Sequence, residues 1–147
     1  MAIIRSTEGK VMYSSAGIGI DLIKVSKVER LLSGGKKPLK GIFTLAEIEY
    51  CQKKPHQIQH FAARLAVKEA VFKALGTGGC GGIKWTDIEV VKDEMGRPKI
   101  NLHGKAREMA EKMNIRDILV SLSHCSDYAI AQVILALSGA DSPKPLK

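Results

Sequence analysis

From Gly17 to Ile23 apolar residues alternate with small or polar ones, the period-two pattern of a half-buried strand. Ile18, Ile20 and Leu22 share one face. Gly17, Gly19 and Asp21 share the other, so a carboxylate stands on a face that its neighbours leave empty. Glycine inside a strand marks close approach by a ligand or another backbone. Ser26-Lys27-Val28-Glu29 has the form of a capping box and predicts a short helix. Val28, Leu31 and Leu32 would face inward, with Lys27 and Arg30 outward, and Ser33-Gly34-Gly35 would close it. Thr44-Leu45-Ala46-Glu47 is a second capping box, with Leu45, Ile48 and Cys51 as the buried stripe and Pro55 as the stop. A run of Ala, Leu, Val and Phe from Phe61 onward predicts a long, largely buried helix. It ends at Gly76, a natural C-cap residue, and runs into a loop that carries five glycines up to Gly82.

Further on, Ile88–Lys92 and Lys99–Leu102 read as two strands joined by a long turn. Gly104 to Asn114 reads as an amphipathic helix with Ala106, Met109, Ala110 and Met113 at helical spacing. Ile118–Ser123 and Tyr128–Leu137 read as a hairpin whose turn holds His124-Cys125-Ser126-Asp127. No βαβ rhythm is present, so the expected class is α+β, with antiparallel strands and packed helices. Residues 1–15 read as a flexible lead-in, 16–138 as one domain and 139–147 as a disordered tail rich in Pro, Ser and Lys. Met12 is an alternative start to Met1.

Charge narrows the partners. Lys and Arg outnumber Asp and Glu by 23 to 15, giving a net charge of +8, which favours acidic partners. Aromatic residues are only 5% of the chain, too few for a single-strand stacking platform. Three well-separated cysteines form neither a CxxC nor a disulfide framework, which suits a reducing cytoplasm. No membrane span or secretory leader is read from the sequence.

Candidate chemistry gathers on the carboxylates. Glu69 and Lys73 lie one helical turn apart among apolar neighbours, either as an ordinary i,i+4 pair or as part of a site. Asp21 and Glu69, from separate elements, could share a hard divalent cation such as Mg²⁺. Lys73 could then reach a substrate phosphate, and the glycine-rich loop could offer main-chain N–H groups to an anion. His124 is the best-placed imidazole, ahead of His56, His60 and His103.

Four segments carry a resemblance: GIGIDL at 17–22, FTLAEIEYC at 43–51, ARLAVKEAVFKALGTG at 63–78 and SLSHCSDYAIAQV at 121–133. In this order and spacing the chain resembles the small bacterial holo-acyl-carrier-protein synthases, a group of 4′-phosphopantetheinyl transferases. The resemblance implies transfer of the phosphopantetheine arm of coenzyme A to a serine of an acyl carrier protein. It implies Mg²⁺ dependence, release of adenosine 3′,5′-bisphosphate, and a place in fatty acid biosynthesis. It also implies a homotrimer with active sites between subunits. By position, Asp21 and Glu69 match the metal ligands and Lys73 a coenzyme A phosphate contact; these three form the catalytic set. His124 matches a nucleotide contact from the neighbouring subunit. Arg64, Gly76, Thr77 and Gly78 would be further anion contacts. Glu69 or a water on the metal would take the serine proton. Lys24, Lys27 and Arg30 would dock an acidic carrier protein. The chain departs from the family in having Leu-Ala-Val before Lys68 and Cys125 after the histidine. The alternatives are a basic nucleic-acid-binding module without catalysis and a non-catalytic coenzyme A scaffold.

Overall fold

The two glycines of the first strand decide how the molecule packs. In the computed structural model, which describes residues 3–5, 11–78 and 81–137, the strand β2 (Val11–Lys24) lies directly against the helix α4 (Gln57–Leu75). A Cβ placed on Gly17 would fall 2.0 Å from the carbonyl oxygen of Ala74, and one on Gly19 would fall 1.8 Å from that of Ala70. The close approach expected of these glycines is therefore to another backbone. Asp21, next on the same face, then points into the space beside α4.

β2 belongs to a four-stranded antiparallel sheet in the order β1-β2-β6-β5, with β1 at Ile3–Arg5, β5 at Ile115–His124 and β6 at Tyr128–Leu137. Its inner face presents Ile23, Ala129, Ala131, Val133 and Leu135 to α4, all buried. Thirteen of the nineteen residues of α4 are buried, which makes this helix the centre of the core. A separate hairpin, β3 (Ile88–Lys92) and β4 (Pro98–Leu102), follows a 3₁₀ turn at Trp85–Asp87. The helix α5 (Gly104–Lys112) leads from it into β5 and buries Ala106 and Ala110. The α+β class with antiparallel strands is borne out.

Several details differ from the sequence reading. The segment expected as a loose lead-in contributes the β1–β2 hairpin, with Ile3 opposite Ser14 and Ile4 opposite Tyr13. Pairing satisfies main-chain groups that a loose segment would leave to water. The first helix, α1 (Val25–Leu32), is capped at Lys24 with no side-chain cap bond. β2 runs straight into it, so the Ser26 box is not used, and Leu31 is exposed at 42%. An additional helix, α2 (Lys36–Ile42), was not evident: its Lys-rich sequence has no apolar period, and Pro38 falls in its first turn, where proline is tolerated. Leu39 and Ile42 pack it onto the core. The Thr44–Glu47 capping box is present at the start of α3 (Leu45–Gln52), with Ile48 and Cys51 buried, but Leu45 is 69% exposed. The expected tail at 139–147 lies outside the described residues.

The outer face of the sheet is the apolar surprise. Ile18, Ile20 and Leu22 of β2 are exposed at 63%, 55% and 62%. Ile130 lies opposite Leu22, and Leu119 on β5 is exposed as well. β2 thus carries an exposed apolar row, with Ile130 of β6 beside Leu22 and the exposed, polar Gln132 beside Ile20. Among the described residues, no helix is long and apolar enough to cross a membrane.

Candidate active site

Two clusters form at different places along α4. The first joins β2 to the C-terminal half of the helix. Lys73 Nζ donates to Asp21 Oδ1 and to the carbonyl oxygen of Ile20, both at 2.9 Å. Lys73 therefore pairs across to the strand, and among the described residues it makes no ion pair with Glu69 one turn away. Burial pushes the Glu69 carboxyl above its usual range, and the nearby charge of Asp21 pushes it the same way. Lys73 and Lys27 only partly offset this. Two like charges held together on rigid elements create a demand for a cation.

Glu69 also lines a cleft of about 560 Å³ between α1, α2 and α4. Val28, Leu31, Ile42, Leu65 and Trp85 form its apolar wall, and Lys27 and Arg30 bring positive charge to it. Lys27 and Arg30 of α1 thus share this cleft with Glu69, whereas Lys24 and Asp21 do not line it.

The second cluster surrounds Tyr50. The Arg64 guanidinium lies 4.0 Å over the Tyr50 ring, with Lys54 and Lys92 on the same ring. Arg64 is buried and its Nε has no hydrogen-bond partner among the described residues. His124 Nδ1 meets Gln59 Oε1 at 3.1 Å, and the His124 ring lies edge-on to His60 at 4.9 Å. Burial, then the neighbouring His124, Arg64, Lys54 and Lys92, hold the His60 imidazole below its usual range. Partial burial raises the Tyr50 phenol, but Lys92, Lys54 and Arg64 outweigh it and the net direction is down. A cavity of about 190 Å³ opens here, and among the described residues no carboxylate lines it. Positive groups without a counter-charge around a small cavity suit an anionic ligand.

The structure thus brings Asp21, Glu69 and Lys73 together, and separately Arg64 and His124. It does not join the two sets within one chain. Gln59, the partner of His124, and Glu69 are ten residues apart on α4, about 15 Å along the helix axis. Gly76 takes the left-handed conformation expected of a C-cap. Its N–H donates to the carbonyl of Lys73, and that of Thr77 to Phe72, so two of the expected main-chain donors already close the helix. Thr77 Oγ1 is buried with no partner among the described residues.

Sequence reasoning ranked His60 behind His124 and did not single out Tyr50 or Lys92. The one sequence signal is the i,i+4 spacing of His60 and Arg64 on α4. It also passed over a buried ion pair, Lys68 Nζ to Glu47 Oε2 at 2.9 Å, with both side chains fully buried.

An antiparallel sheet wrapped on one central helix, with a carboxylate pair beside a basic helix and a separate basic cavity, is the frame of a protein that handles anionic ligands. The chain belongs to the 4′-phosphopantetheinyl transferase superfamily, whose profile matches residues 17–133. Within it, the chain is similar to holo-[acyl-carrier-protein] synthases. It is 48% identical over 120 residues to that of Syntrophus aciditrophicus, covering 81% of this chain and 94% of the relative. It is 42% identical to that of Geotalea daltonii, covering 81% and 96%. The solved holo-[acyl-carrier-protein] synthase of Neisseria meningitidis superposes with a TM-score of 0.76 at 26% identity, covering 83% of this chain and 98% of that one. The Bacillus anthracis enzyme, solved in complex with CoA (3′,5′-ADP), gives 0.70 at 32% identity, covering 84% and 98%. The enzyme reading therefore stands over the nucleic-acid-binding and scaffold alternatives.

Proposed function

We propose that this chain transfers the 4′-phosphopantetheine group of coenzyme A to a serine of apo acyl carrier protein. The reaction depends on Mg²⁺ and releases adenosine 3′,5′-bisphosphate. The single observation that carries this reading is the Asp21–Lys73–Glu69 grouping beside the α1 cleft. The donor set suits Mg²⁺: two carboxylates are hard oxygen ligands, and among the described residues no cluster of three or more His, Cys, Asp or Glu offers an all-protein cage. Mg²⁺ commonly keeps several waters and takes substrate phosphate alongside one or two carboxylates. Asp21 and Glu69 would hold it.

Bound there, the metal would neutralise charge on the pyrophosphate of coenzyme A. Lys73, more than half exposed on a flexible stem, would bind a phosphate oxygen and stabilise the charge that gathers on the departing group. The serine proton would pass to Glu69 or to a water at the site. Arg64 and His124, facing the basic cavity, would hold the nucleotide end. The direct test is the mass of an apo carrier protein incubated with this protein, coenzyme A and Mg²⁺. A gain of one phosphopantetheine supports the reading, and no gain with a folded carrier protein refutes it.

Docking of the carrier protein falls to α1. Lys24 at the end of β2 and Lys27 and Arg30 on α1 are all exposed, the latter two beside a largely apolar cleft that an amphipathic acidic helix could enter. Reversing these three charges should raise KM for the carrier protein at least about tenfold and leave coenzyme A binding nearly intact. Added salt should imitate the substitutions. An unchanged KM in the triple variant removes α1 from the docking surface.

The site is completed by a second copy of the chain, in a homotrimer. Two features support this: the exposed apolar row Ile18, Ile20 and Leu22 of β2 with Ile130 of β6 beside it, the kind of surface that marks an interaction site, and the distance along α4 between Glu69 and Gln59, the partner of His124. A refolded equal mixture of His124→Ala and Glu69→Gln chains should regain activity, since about one interface in four would pair two intact partners. A mixture as inactive as its parents, or a monomer by light scattering, overturns the shared site.

A further inference from the structure

Lys73 does not behave as a surface lysine waiting for substrate. Its ammonium already holds Asp21 Oδ1 and the Ile20 carbonyl, each at 2.9 Å. The two partners differ in freedom. The Asp21 side chain is 16% exposed and fixed to a central strand, whereas the Lys73 side chain is 53% exposed. The carboxylate is the stationary member and the four-carbon amine the movable one. Solvent-exposed ion pairs are weak and easily exchanged for another anion. The pair is also not needed to seat α4 on β2, because the backbone contacts at Gly17 and Gly19 do that.

We propose that Lys73 is a resident counter-ion of the carboxylate pair, which guards Asp21 against a lone divalent cation until a substrate phosphate draws the amine away. This rests on the reading that Asp21 and Glu69 hold the metal. In the free protein Lys73 cancels one of the two carboxylate charges, and Lys27 offsets part of the other. A divalent cation approaching the site would meet the ammonium on the same carboxylate it would ligate. A phosphate of coenzyme A offers that ammonium a stronger partner and frees Asp21. Metal and nucleotide then favour each other's binding, and linkage makes the preference reciprocal. The device keeps cation and phosphoryl substrate arriving together. An ordinary catalytic lysine placed near the phosphates but away from Asp21 would not have this effect.

The test is Mn²⁺ binding to the full chain, followed by the electron paramagnetic resonance of the free ion, without and with saturating coenzyme A. Circular dichroism monitors the fold. Lys73→Met should bind Mn²⁺ in the absence of coenzyme A about tenfold more tightly than the native chain. The further gain conferred by coenzyme A should shrink in that variant. Lys73→Arg, which retains the charge, should resemble the native chain, and Asp21→Asn should bind Mn²⁺ more weakly in both conditions. A folded Lys73→Met protein that binds Mn²⁺ no better than the native chain overturns the guarding role while leaving the metal site standing. If Asp21→Asn binds Mn²⁺ as well as the native chain does, the carboxylate site itself fails, and the guarding role fails with it.

Discussion

Glu69→Gln should lower kcat/KM for carrier-protein modification by at least about a hundredfold, the upper end of what losing even an outer partner of a metal ligand costs. Its melting temperature should stay at or slightly above that of the native chain. The second half of that expectation comes from linkage. Burial and Asp21 hold the Glu69 carboxyl above its ordinary range, so the ionised group opposes folding at neutral pH, and its contribution worsens as pH rises through the folded-state value. The amide keeps the shape and removes that opposition. Asp21→Asn should lose a similar share of activity. It leaves Lys73 unpaired, but that amine is more than half exposed, so stability should change little. High Mg²⁺ should recover part of the rate in at least one variant. The competing view makes Glu69 a structural residue with a bland helical role. It forecasts the reverse signature, a lowered melting temperature with near-normal turnover, and that outcome would remove Glu69 from the site.

The sequence made the two carboxylates visible for a physical reason. Asp21 follows two glycines on one strand face, and Glu69 interrupts an apolar helix; both are costly placements that need an explanation. The glycines also carried the packing, since only residues without a Cβ allow the contact with Ala70 and Ala74. Gly76 and the Thr44–Glu47 box announced helix ends because their chemistry is local. What stayed hidden depends on contacts across the fold. Lys73 looked like a partner for Glu69, because spacing reports neighbours on one helix and says nothing of Asp21 on β2. Ser26 looked like a cap, because the sequence cannot show that β2 enters α1 without a break. The basic cavity draws Tyr50 from α3, Arg64 from α4, Lys92 from β3 and His124 from β5, so no window of sequence contains it. The exposed row of Ile18, Ile20 and Leu22 had the pattern of a strand, but which face met the core was decided by the glycines opposite.

Glu47 was the most misleading residue, because its capping role seemed to explain it fully. It does accept from the N–H of Thr44, at 2.9 Å, but its other oxygen accepts from the N–H of Val90, also at 2.9 Å, and Lys68 completes it. Lys68 in turn donates to the carbonyls of Trp85 and Ile88. This one buried pair ties α3, α4 and the β3–β4 hairpin together, on the helix that carries Glu69. Lys68→Met should therefore destabilise the fold by about 3–5 kcal/mol, because it strands a buried carboxylate. Glu47→Gln should cost less. Burial, despite the opposing charge of Glu47, already pushes the Lys68 amine below its usual range, and without Glu47 the amine can shed its proton. The Glu47→Gln protein should accordingly gain stability as pH is raised, since its unfolded chain binds the proton more readily than its folded one. The double variant should be more stable than Lys68→Met alone, because the amide still accepts from Val90 and no charge is left stranded. Urea denaturation of the four proteins gives the coupling between the two positions. A Lys68→Met chain as stable as the native one would mean that the carboxylate finds water or a proton in its place. The pair would then be a passive feature of the core and not the joint on which α4 is fixed.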